Sequence, residues 1–217
     1  MKIHHLSENN SVLNHFLGQI RDVNVHNDRM RFRRNIERIG EIMAYELSKE
    51  LHYKKSAIQT PLGIKNTAEI NDNLVLCSIL RAGLTLHNGF LNYFDAAENG
   101  FISAYRHHPN NDAYFDILVE YQAVSDINNA NLILIDPMLA TGQSIVAVFN
   151  KLMERGTPKE IHIAVVIAAP EGIAHLEALL PDYCHLWIAS IDEKLNENNY
   201  IVPGLGDAGD LAFGNKL

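Results

Sequence analysis

The chain has 217 residues, 18 Lys and Arg against 26 Asp and Glu, and 47% apolar residues. That length suits one α/β domain, and the apolar fraction is that of a chain with a core, which excludes disorder. A formal charge of −8 argues against a broad nucleic-acid-binding face, though not against a local site for a small anion.

The start, Met1-Lys2-Ile3-His4-His5, turns polar at once, unlike a secretory leader. Residues 11–20 read as a short helix. Phe32, Ile36, Ile39, Met43, Leu47 and Leu51 recur at spacings of three and four, the pattern of an amphipathic helix. Arg33 and Glu37 sit one turn apart on its other side. Five of the nine arginines crowd into residues 29–38. They read as a solvated helix face, a subunit interface, or a contact to the active site or an effector.

From Asn73 the texture changes. Leu74-Val75-Leu76-Cys77-Ser78-Ile79 reads as a buried strand, followed by a helix over 84–93. Phe101-Ile102-Ser103-Ala104-Tyr105 and Leu132-Ile133-Leu134-Ile135 are further strands. A helix over 144–155 stops at Gly156 and Pro158. A strand over 161–168 precedes a helix over 171–180, and Leu186-Trp187-Ile188-Ala189 is a last strand with Trp187 in the core. No apolar run reaches the length of a membrane span. Cys77 and Cys184 lie within apolar runs and read as buried thiols, which points to the cytoplasm. Neither repeats nor linkers interrupt the pattern, so residues 1–217 read as one domain.

Apolar strands alternating with helices predict a parallel sheet of about five strands covered on both faces. Ligands then bind beyond the carboxyl ends of the strands. Arg81 follows one strand, Arg106 another, and Asp136-Pro137-Met138-Leu139-Ala140-Thr141-Gly142-Gln143-Ser144 a third. Taken singly, either arginine reads equally as a surface residue. Small residues at a strand-to-helix turn aim backbone N–H groups at one point, and the helix N-terminus adds positive potential. Thr141 and Ser144 add hydroxyls. Together they describe a cradle for a phosphate monoester, with Asp136 placed to accept from sugar hydroxyls or from water on Mg²⁺. The Gly-Lys-[Ser/Thr] ending of a P-loop is absent. The plain alternative is an ordinary capped helix.

Four stretches carry a family resemblance: Ile79-Leu80-Arg81-Ala82-Gly83, Asp136 to Gly142 as quoted, Ala168-Ala169-Pro170-Glu171-Gly172, and the run Tyr200-Ile201-Val202-Pro203-Gly204-Leu205-Gly206-Asp207-Ala208-Gly209-Asp210. In order along nearly the whole chain, they resemble the uracil phosphoribosyltransferases. The resemblance implies the type I phosphoribosyltransferase fold, a central mostly parallel sheet flanked by helices. A small hood would come from the N-terminal segment and the loop around 195–217.

It implies transfer of the phosphoribosyl group of 5-phosphoribosyl-1-pyrophosphate (PRPP) to N1 of uracil, giving UMP and pyrophosphate in pyrimidine salvage. Residues 136–144 would hold the 5′-phosphate and ribose hydroxyls. Arg81 and Arg106 would hold the pyrophosphate, with a cis peptide expected near Leu80-Arg81. Mg²⁺ would arrive on PRPP without direct protein ligands, and Asp207 would contact PRPP or a water on the metal. Ile201, Gly206, Asp207 and Ala208 would read the uracil edge. A homodimer or higher homo-oligomer is expected, with GTP as a candidate effector.

Two departures from the family stand out. His107-His108-Pro109-Asn110-Asn111-Asp112 replaces an acidic stretch after Arg106, in a loop expected to cover PRPP, and Leu211 replaces an arginine after Asp210. The His107-His108 and His4-His5 pairs read as exposed loop histidines, since no Cys or acidic residue is spaced with them for zinc. The alternative function is a phosphoribosyltransferase fold retained as a nucleotide-sensing or RNA-binding regulator, which would need a broad basic face.

Overall fold

A computed structural model describes residues 1–107 and 116–215. The central sheet runs, side by side, Lys2–His5, Cys184–Ile191, Glu160–Ala168, Asn131–Ile135, Leu74–Leu80, Glu98–Ser103 and Gln122–Ala123, with Met138–Leu139 attached to Glu160–Ala168. In chain order, β1 is Lys2–His5, α1 Val12–Arg21, α2 Arg29–Ser48, β2 Tyr53–Thr60, β3 Gly63–Ile70 and β4 Leu74–Leu80. Then come α3 (Gly83–Leu91), β5 (Glu98–Ser103), β6 (Tyr105–His107), β7 (Asp116–Leu118), β8 (Gln122–Ala123), β9 (Asn131–Ile135) and β10 (Met138–Leu139). The chain continues through α4 (Gln143–Met153), β11 (Glu160–Ala168), α5 (Pro170–Leu179), β12 (Cys184–Ile191), β13 (Lys194–Leu195), β14 (Ile201–Val202) and α6 (Ala208–Phe213).

All pairings in the central sheet are parallel except that of β5 with β8. The strands bury both faces, which is why they appear as unbroken apolar runs. On β11, Ala164 and Val166 face the core under α1, α2 and α3, whereas Ile161, Ile163 and Val165 face the core under α4 and α5. Cys77 and Cys184 are free and buried, and Trp187 is core.

Helix α2 begins where Asp28 Oδ1 accepts from the N–H groups of Met30 and Arg31, both at 3.1 Å. Phe32, Ile36, Ile39, Met43 and Leu47 are fully buried, as their spacing predicts. The helix crosses α3 at Gly40, where an added Cβ would lie 3.1 Å from the Cα of Gly89, so the two backbones touch. That close approach seats α3 at the end of β4 and so places the turn at Arg81.

Three elements escape the sequence pattern. Strand β1 is an edge strand held by β12 from His185 to Ile188, a pairing no local signal announces. The hairpin β2–β3 is exposed on both faces, so it has no buried face to impose a period of two. With β1 on one edge and the short β8 and β10 attached beside β5 and β11, the central sheet has eight strands where about five were expected. Strands β13 and β14 pair as a small antiparallel sheet. The stretch beyond them joins the core of α2 through Leu205, Ala208 and Ala212.

Candidate active site

Parallel strands deliver their carboxyl ends to one rim, and a cleft of about 600 Å³ opens there. Arg81 enters from the end of β4, Asp136 from β9, and Ile201, Gly206 and Asp207 from the C-terminal loop. A smaller hollow of about 170 Å³ adjoins it, lined by Asp136, Met138, Ala140, Thr141, Gly142 and Ser144. The Leu80–Arg81 peptide is cis, in the place expected.

The hollow sits at the start of α4. Gly142 is the N-cap, at φ +79°, and no side chain caps the helix. The first N–H groups of α4 thus have no side-chain acceptor among the described residues, as a glycine N-cap entails. An added Cβ at Gly142 would meet the Gly172 carbonyl oxygen and His175 at 3.2 Å and Leu176 at 3.3 Å. Its positive φ and its contact with α5 both favour glycine, a packing reason separate from the expected approach of a phosphate.

Asp136 Oδ1 accepts from the Met138 N–H at 3.3 Å. Burial pushes its carboxyl up to about 7, against that hydrogen bond and with help from the nearby charge of Asp207. The folded chain holds this proton to about pH 7, whereas the unfolded chain releases it near 3.8. The folded state binds more protons between those values, so its stability falls as pH rises through that window. The unfolding midpoint of Asp136→Asn should accordingly change less between about pH 4.5 and 8 than that of the parent chain. Equal slopes in thermal melts would contradict this.

Asp207 caps α6, its Oδ1 accepting from the Asp210 N–H at 2.9 Å. Asp210 accepts from Arg81 Nη2 at 3.0 Å, and the Gly214 carbonyl accepts from the same nitrogen at 3.2 Å. Arg81 Nε is buried, with no acceptor among the described residues.

Residues 7–215 match the family model for uracil phosphoribosyltransferase. The chain belongs to that family. The uracil phosphoribosyltransferase of Porphyromonas gingivalis is 50% identical over 217 residues, the whole of both chains. That of Methanococcus maripaludis is 40% identical over 210 residues, covering 95% of this chain and 88% of its own. Among solved structures, protein AQ2163 of Aquifex aeolicus is 26% identical, with a TM-score of 0.86 over 98% of each chain. A purine phosphoribosyltransferase of Pyrococcus horikoshii is 14% identical, with a TM-score of 0.50 over 73% of this chain and 84% of its own. At that identity the likeness is one of fold, that of the type I phosphoribosyltransferases.

Seen as a member of the uracil phosphoribosyltransferase family, the chain places most of the sequence-selected residues on one cleft, with corrections. The side chains of Pro137 and Leu139 are buried, and their carbonyls accept from β11 and Ala169, so neither side chain lines the cleft. Residues placed next to a cradle in sequence need not line it, because β10 pairs with β11 on the way. Gln143 is exposed and lines neither hollow. The Arg106 side chain and residues 108–115, which include most of the expected covering loop, lie outside the described residues.

The arginines of α2 are largely engaged within the chain. Arg34 pairs with Glu37 at 2.7 Å, Arg33 donates to the Ala212 carbonyl at 2.7 Å, and Arg38 lies over the Phe16 ring.

Sequence reasoning missed the anchor of the C-terminal loop. Arg21, at the end of α1, donates to Asp192 Oδ2 at 2.8 Å and to the Gly204 carbonyl at 2.9 Å. Asp192 Oδ2 also accepts from the Gly204 N–H at 2.8 Å. Asp192 directly follows β12, so the rule of inspecting strand ends could have found it. Glu171 lies in the first turn of α5. Its carboxylate accepts from the Leu195 N–H at 2.9 Å and holds β13 against α5.

Proposed function

We propose that this cleft transfers the phosphoribosyl group of PRPP to N1 of uracil. The C1–O bond to pyrophosphate breaks, the C1–N1 bond forms, and the N1 proton is released. The observation that carries this reading is the meeting of the α4 cradle and the 200–208 loop on one cleft, with Asp136 between them in the lining.

In this reading, N–H groups of residues 140–144 and the Thr141 and Ser144 hydroxyls hold the 5′-phosphate. Asp136 accepts from the ribose hydroxyls. Arg81, which lines the cleft, offers the accessible part of its guanidinium to the pyrophosphate as negative charge grows there. Arg106 is the second contact proposed for pyrophosphate. No covalent nucleophile is required, because the groups need only align the reactants and stabilise the leaving group.

The donor set suits Mg²⁺ carried by PRPP. Both acidic groups of the cleft, Asp136 and Asp207, are oxygen donors, and their mutual repulsion is the kind a hard cation relieves. When bound, the metal would neutralise the pyrophosphate. Asp207 would hold one of its waters.

Arg81→Ala should lower kcat/KM tenfold or more, the loss expected from charge-assisted contacts of about 1.5–3 kcal/mol. The fall should appear in kcat, because the contact strengthens toward the transition state. Unchanged kcat in steady-state assays would remove Arg81 from this role. The function itself is tested by following UMP formation from uracil, PRPP and Mg²⁺, and a chain that makes no UMP would overturn it. No described feature favours the regulator reading.

The same proposal takes the chain as one domain, with the 195–217 stretch as a hood, acting in the cytoplasm as a homodimer or larger assembly. Free thiols support the compartment. Exposed Ile58, Leu62 and Ile64 on the hairpin support self-association, which sedimentation tests. GTP is proposed as an effector through the arginines at the start of α2, and assays with and without GTP test it.

A further inference from the structure

At the opposite rim of the sheet, β1 lies parallel to the amino half of β12. That pairing sets His4 beside His185 and brings both to Glu50, just beyond the end of α2. One ligand atom from each of the three lies within 4.8 Å of the others. The sequence-level argument against a metal fails here because the partners come from three elements far apart in the chain.

His4 Nε2 and His185 Nδ1 face each other at 3.3 Å. Two nitrogens bound tetrahedrally to zinc at about 2.0–2.1 Å stand about 3.3–3.4 Å apart, so the pair already has the span of two ligands. The His4 ring is held by stacking on Trp187, with centroids 3.7 Å apart and planes 6° from parallel. That contact limits the rotation that would otherwise oppose binding. Glu50 accepts from Lys2 Nζ at 2.7 Å, a surface ion pair that a divalent cation would displace. His4 and Glu50 open onto a depression of about 530 Å³, which gives an entry path.

We propose that His4, Glu50 and His185 form a binding site for zinc(II), or a similar borderline divalent transition metal, with water completing its coordination. Two imidazoles and one carboxylate suit such an ion better than Mg²⁺ or Ca²⁺, which prefer oxygen alone. Bound there, the metal would tie the N-terminal strand to β12 and α2, outside the catalytic cleft.

The test uses the untagged full chain, freed of metal by a chelator and then dialysed against zinc. One zinc per chain should survive gel filtration, and the unfolding temperature should rise on loading. Cobalt(II) in its place should show the visible d–d bands of a four- or five-coordinate ion. His4→Gln and His185→Ala should each lose the equimolar metal, the bands and the stabilisation. His15→Ala, which removes an exposed histidine on α1, should keep all three. His4→Gln alters only a half-buried edge strand, and circular dichroism verifies that it folds. Zinc below half an equivalent in the parent chain would overturn the proposal, as would full retention in folded His4→Gln.

Discussion

Gly142→Val is expected to weaken PRPP binding at least 100-fold while leaving the chain folded. The native φ of +79° is one that a β-branched residue rarely adopts. A left-handed backbone costs an L-residue about 1–2 kcal/mol before any crowding. Crowding adds to this, since the new Cβ alone would lie 3.2 Å from the Gly172 carbonyl oxygen and valine adds two methyls beyond it. The turn must shift, and with it the uncapped N–H groups at the start of α4.

A loss of about 100-fold corresponds to about 2.8 kcal/mol, within reach of two or three misplaced donors to a phosphate. Thr141→Ala, which removes one hydroxyl and leaves the backbone alone, should cost about tenfold, near the worth of one charge-assisted bond. Titration calorimetry with PRPP and Mg²⁺, alongside circular dichroism, measures both. An unaltered PRPP affinity in a folded Gly142→Val would sink the cradle assignment.

Uracil should be preferred over cytosine by roughly 10⁴ in kcat/KM, because the loop proposed to meet the base offers mainly main chain. Val202, Pro203, Gly204, Leu205 and Gly206 carry no polar side chain. Ile201 and Leu205 turn into the core, being 5% and 4% exposed. Gly204 and Gly206 adopt φ of +63° and +96°, conformations that favour glycine.

Uracil presents acceptor, donor and acceptor along O2, N3–H and O4. Main-chain groups arranged as donor, acceptor and donor would match it. Cytosine reverses two of the three, leaving buried groups unpaired. A fluorine at C5 touches none of these contacts, so 5-fluorouracil should be used at a rate within about tenfold of uracil's.

The Arg21–Asp192 pair locks this loop through Gly204, and Asp192 is 8% exposed. Asp192→Asn should therefore raise KM for uracil and narrow the preference over cytosine, with the KM for PRPP nearly unchanged. Steady-state turnover with the three bases at saturating PRPP decides it. Comparable use of cytosine by the parent chain would show that the loop does not read the base this way.

The period of α2 and the doubly covered strands β4, β9, β11 and β12 were legible because each buries a face whose repeat is written locally. So were the chemistry-bearing strand ends, since parallel strands with helical crossovers can only present them at one rim. The four quoted stretches placed the chain in its family for the same reason, as each is a short contiguous turn.

The hairpin β2–β3 was invisible because it buries neither face, and β1 because four residues become a strand only by pairing with β12. Pro137 and Leu139 needed the pairing of β10 with β11 before they could be told from their cleft-lining neighbours Asp136 and Met138. The links Arg21–Asp192, Arg81–Asp210 and His4–His185 span 171, 129 and 181 residues. Local pattern determined the layers and the turns. Contacts between residues far apart in sequence, which depend on how the layers stack, decided what each turn holds.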